Sequence, residues 1–109
     1  MSLDFWLVNK LEGCDEEVEV YGANITHNLS KMARECELYT SLWDSHEKPV
    51  SEVKEDLIRG IKELKNNPEK YKTFNPGNGW GKYETLLFFA ECVLNAMDKY
   101  PKAVIGVSR

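Results

Sequence analysis

Three stretches of this chain carry side chains able to do chemistry. The first is Asn24, His27 and Asn28; residues three and four apart share a face of a helix, so two amides and an imidazole would be presented together. The second is Asn75-Pro76-Gly77-Asn78-Gly79-Trp80-Gly81, with three glycines, one proline, two asparagines and a tryptophan. Pro76 fixes one backbone angle and the glycines open others, so the expectation is a shaped loop leading onto a helix. Asn75, Asn78 and Trp80 would hydrogen-bond and stack a planar ligand, and N–H groups at the helix start favour an anion. The third is Asp44-Ser45-His46-Glu47, which joins an alcohol and an imidazole to two acids. Each has a plainer reading: Asn24 as a helix cap, the glycine-rich stretch as a tight turn closed by Trp80, and 44–47 as a polar surface loop.

The motifs that would name an activity are missing. Neither Gly-x-Gly-x-x-Gly nor a Gly-Lys-Ser/Thr ending occurs, so no phosphate or cofactor fingerprint is present. With two histidines and no His-Glu-x-x-His or paired cysteines, no metal set is expected. A small hydrolase using His27 or His46 is the least supported reading, because a nucleophilic serine needs a base and an oxyanion site placed in space. A formal charge of −4 argues against general nucleic-acid binding. Cys14, Cys36 and Cys92 are three, widely spaced, and read as reduced thiols of a cytoplasmic protein. No run approaches the roughly 20 apolar residues that cross a bilayer.

The elements that must position these residues follow from periodicity. Leu3 to Val8 alternates as a strand with Leu3, Phe5 and Leu7 on one face, and Glu16 to Tyr21 as a second with Val18 and Val20 inward. The acidic residues of 15–19 form its solvated face. Gly22 is expected to break the strand, with Asn24 or Thr26 capping a helix whose stripe is Ile25, Leu29, Met32, Ala33 and Cys36. Ser51 caps a second helix with Val50, Val53, Leu57, Ile61 and Leu64 buried, and Gly60 marks close packing. Asn67 and Pro68 start a short further turn. Tyr83, Leu86, Leu87, Ala90, Val93, Leu94 and Met97 make the strongest helix, widened by Phe88, Phe89 and Cys92 and stopped by Pro101. A strand over 103–108 closes the chain beside the first. At 109 residues this is a single domain, 1–109, of the α+β class: a small antiparallel three-stranded sheet backed by three main helices, in the order β-β-α-α-α-β.

Ala23-Asn24-Ile25-Thr26-His27-Asn28-Leu29, Phe74-Asn75-Pro76-Gly77-Asn78-Gly79-Trp80-Gly81 and the closing Val107-Ser108-Arg109 together resemble a group of uncharacterised small proteins of tailed bacteriophages. The resemblance implies a phage accessory protein in the cytoplasm of an infected host bacterium, and no catalytic residue comes with it. The expectation is a non-enzymatic binding module built on Asn24, His27, Asn28, Asn75, Asn78 and Trp80. Its partner is a nucleotide-like small molecule or a host or defence protein. The alternative is an acidic partner-blocking protein using the 15–19 hairpin face.

Overall fold

The alternation of Leu3, Phe5 and Leu7 makes the opening strand the centre of the sheet. The computed structural model describes residues 2–10, 16–77, 79 and 81–109. Strand β1 (Ser2–Lys10) pairs antiparallel with β2 (Glu17–Thr26) on one side and with β3 (Val104–Ser108) on the other, in the order β2-β1-β3. Leu3, Phe5 and Leu7 are almost wholly buried, as are Ile25 and Ile105 on the flanking strands. The closing strand does lie beside the first, which gives its backbone groups partners.

Helical segments cover one face. A 3-10 turn (His27–Leu29) runs on into α1 (Ser30–Glu35), followed by α2 (Tyr39–Leu42), α3 (Val50–Asn66), α4 (Pro68–Lys72) and α5 (Tyr83–Lys99). The two longest, α3 and α5, each span 17 residues. Val50, Val53, Leu57, Ile61 and Leu64 form the buried stripe of α3, and Asn67 and Pro68 start α4 as expected. Gly60 is buried where α3 meets Leu38: a Cβ there would lie 2.5 Å from Leu38 Cδ2. Within the described residues no helix is long and apolar enough to cross a membrane.

Four expectations are corrected. Strand β2 does not stop at Gly22 but stays in register with β1 as far as Thr26, so Asn24 lies on the strand opposite Asp4 and caps no helix. A bulge at Val20 explains the misreading. Leu7 pairs with Tyr21 and Val8 with Glu19, so one residue is absorbed and Tyr21, Ala23 and Ile25 take over the inward positions. Val18, opposite Asn9 past the end of the core, is 42% exposed. Ser51 is not the cap of α3, which begins at Val50 behind Pro49. That start is set from outside the helix: Glu47 N–H donates to Ile105 O (2.7 Å), Ile105 N–H to Lys48 O (2.9 Å) and Val50 N–H to Ala103 O (3.0 Å). Segment 47–50 therefore covers the free edge of β3. Finally, Phe88 does not widen the buried face of α5; it is 72% exposed, because neighbours cover only the side carrying Leu86, Phe89, Ala90 and Val93.

Candidate functional site

Of the six residues expected to bind a ligand, His27 and Asn75 are engaged inside the fold. Thr26 is extended and its hydroxyl accepts from Asn28 N–H (3.3 Å), so Thr26 is the cap of the 3-10 turn. His27 turns its ring toward the protein: Trp43 Nε1–H donates to His27 Nδ1 at 3.1 Å. Trp43 is 2% exposed, and a buried indole N–H needs an acceptor. Asn75 Oδ1 accepts from Tyr83 N–H at 2.8 Å, satisfying a free donor of the first turn of α5. Asn24 and Asn28 are exposed. Asn78 and Trp80 lie outside the described residues.

The two segments nevertheless approach each other at the loop's end. A Cβ on Gly81 would fall 2.8 Å from Thr26 Cγ2 and 3.0 Å from Leu29 Cδ1, and Gly81 has φ +90°. Only glycine combines that backbone with that contact.

The third candidate has no accessible nucleophile. Ser45 is fully buried. Its neighbour His46 uses Nδ1 to accept from Val107 N–H (2.9 Å), tying segment 44–47 to β3. Among the described residues, no group of three or more His, Cys, Asp and Glu is placed to hold a metal ion.

The chemistry gathers elsewhere. A cleft of about 740 Å³ opens between the end of α1, α2, α3 and the residue after β3. Of the chain's fourteen Lys and Arg residues only Arg34, Arg59 and Arg109 are arginines, and all three line this cleft. Arg34 lies over the Tyr39 ring, 4.1 Å from Cζ to the centroid. Tyr39 in turn stacks on Trp43 at 5.5 Å and 7° between planes. Guanidinium, phenol and indole thus form one column, whose last member is held by His27. Arg109 Nη1 donates to Tyr39 OH (3.2 Å) and to Asp44 Oδ1 (3.0 Å). Arg59 pairs with Asp56 one turn back on α3.

Two charged groups in the cleft, the Arg34 guanidinium and the Glu37 carboxylate, have no ion-pair partner among the described residues. They are three residues apart and both line the cleft. Glu37 owes its position to the way α1 ends. Leu38 N–H donates to Ala33 O (2.8 Å) and Glu37 N–H to Arg34 O (3.3 Å), the paired bonds that close a helix through a left-handed residue. That residue is Glu37, at φ +67°, where glycine is the usual occupant.

A smaller recess of about 370 Å³ adjoins it, sharing Glu37 and Arg59. At its floor the buried Tyr71 hydroxyl donates to Glu63 Oε2 at 2.6 Å. Burial, with the Glu63 carboxylate beside it, raises the Tyr71 phenol above its ordinary range, so this tyrosine is a fixed neutral donor. Burial also pushes the Cys36 thiol up to about 11, which makes it an inert core group.

Sequence reasoning missed the cleft because its residues are scattered from 34 to 109 and form no motif. The legible signal was compositional: arginines are few among the basic residues, and Arg is the side chain suited to planar, bidentate anion recognition. No protein-family model matches the chain, and neither does any curated protein or solved structure.

Proposed function

We propose that this chain is a non-enzymatic binding module that takes a small anionic, nucleotide-like ligand in the arginine-lined cleft, as an accessory protein of phage type. The observation that carries the reading is the convergence of every arginine on one concavity that also holds an aromatic column. A guanidinium offers parallel donors to a phosphate and a flat face to a ring. Arg59 and Arg109 are held by Asp56 and Asp44 at exposed positions. Such pairs are worth about 0–1 kcal/mol, so exchanging a carboxylate for a phosphate costs little. Arg34 needs no exchange.

Isothermal titration with nucleoside diphosphates and with inorganic pyrophosphate tests this reading. Binding is expected to weaken about tenfold or more in Arg34→Ala and Arg109→Gln, the size of a lost charged hydrogen bond, and to persist in Asn24→Ala and Asn28→Ala. No heat with any of these anions, or unchanged affinity in the arginine variants, overturns it.

A second reading, an acidic surface that blocks a basic partner, is favoured by the outer face of the sheet. Half-exposed Trp6 has glycine on both neighbouring strands, Gly22 and Gly106. The recess toward β2, about 320 Å³, is lined by Asp4, Glu19 and Asn24. If charge reversal at Glu17 and Glu19 leaves capture of a basic partner intact, that reading is excluded. Asp15 lies outside the described residues.

A further inference from the structure

Resting on the cleft as a nucleotide site, we infer that Glu37 makes it selective for guanine. A carboxylate and a guanidinium left apart in one cleft each suit a different part of one ligand. An anion alone would use Arg34 and be repelled by Glu37. A base whose edge presents donors would use both. Guanine carries two adjacent, parallel N–H donors, at N1 and N2, matching the two oxygens of one carboxylate. Adenine and cytosine set one amino donor beside a ring acceptor, which would face a carboxylate oxygen without a proton between them. Uracil has a single N–H flanked by two carbonyls. Only guanine satisfies both oxygens of Glu37 at once.

The remaining contacts follow from the same geometry. Arg34 lies with one face on Tyr39, and its other face is a stacking surface for the base. Arg109 and Arg59, which line the same cleft, are then left for the phosphates.

The conformation of Glu37 belongs to the closure of α1. A glycine at φ +67° would relieve the strain of a left-handed side-chain-bearing residue. The carboxylate is exposed and has no ion-pair partner among the described residues.

The experiment compares GMP, IMP and AMP by isothermal titration with the whole chain. IMP lacks the N2 amino group and keeps N1–H. The expected order is GMP tightest, IMP weaker by about tenfold for one lost hydrogen bond to a charged group, and AMP weaker again. Glu37→Gln, which can accept at only one atom, should bring GMP and AMP to within about threefold of each other while binding persists. Glu37→Gly should lose the preference and raise the melting temperature, a gain that separates the site's effect from misfolding. Equal affinities for GMP and AMP in the wild type, or a preference that survives Glu37→Gln, refute guanine selectivity and leave the binding module standing. Failure of every nucleotide to bind removes both.

Discussion

The Trp43–His27 bond anchors the lower end of the column under the cleft. Trp43 is almost fully buried and its only polar atom is Nε1–H, whose acceptor is His27 Nδ1 at 3.1 Å. In His27→Ala that donor is left buried and unpaired, a cost of about 1–3 kcal/mol. Urea unfolding should show it as a lower midpoint with an unchanged slope. His27→Gln supplies a carbonyl oxygen in reach of the same position and is expected to recover part of the loss. A His27→Ala midpoint equal to that of wild type would mean the indole finds another acceptor, and the column would not be fixed from below. His27 was legible in the sequence as a polar residue near a helix start. Its partner was not, because sixteen residues separate the two and no local period links them.

At the scale of elements, the packing of α3 on the α1–α2 connection decides where the cleft opens. Gly60 is the contact point, and its would-be Cβ lies 2.5 Å from Leu38 Cδ2, 2.8 Å from Leu38 Cγ and 3.2 Å from Cys36 O. Two effects compete in Gly60→Ala. Helix propensity favours alanine by about 1 kcal/mol. Overpacking a filled site costs about 1–3 kcal/mol, and Leu38 is fully buried. The net expectation is destabilisation by about 1 kcal/mol, read from urea midpoints. A raised midpoint would show that propensity wins and that the contact is loose. Close packing at Gly60 was readable from the sequence, since a glycine inside a strong helical stripe has few other reasons to be there, but its partner Leu38 was not. The long helices were readable because a 3.6-residue period is a local signal, and the neighbouring of β1 and β3 because a lone terminal strand would leave its backbone groups unpaired. The bulge at Val20 was not, because an extra residue in one strand is visible only against its partner. Nor was the run of short turns between 27 and 42, whose break at the left-handed Glu37 carries no glycine or proline to mark it.

At the scale of the molecule, every resolved shift in proton affinity among the described residues has the same sign and the same leading cause. Burial raises Cys36, Tyr71, Tyr83 and Tyr21 above their ordinary values. Each is an acid whose neutral form the folded state prefers. When the folded value exceeds the unfolded one, the unfolded chain holds fewer protons over the interval between them, and stability falls as pH rises across it. For Cys36 that interval runs from 9.0 to about 11, and the tyrosines extend the loss from 10.0 upward. The fold is therefore expected to hold its alkaline stability up to about pH 9 and then lose it progressively. Thermal unfolding between pH 8 and 11 checks this. Cys36→Ala removes one titrating group and opens a small cavity, so its melting temperature starts lower at every pH; the informative quantity is the slope. A shallower fall above pH 9 than in wild type identifies the thiol as the first group to titrate. Parallel slopes would assign the alkaline loss to the buried phenols, with Tyr71 foremost because its hydroxyl already donates to the Glu63 carboxylate and cannot ionise without setting two negative charges against each other.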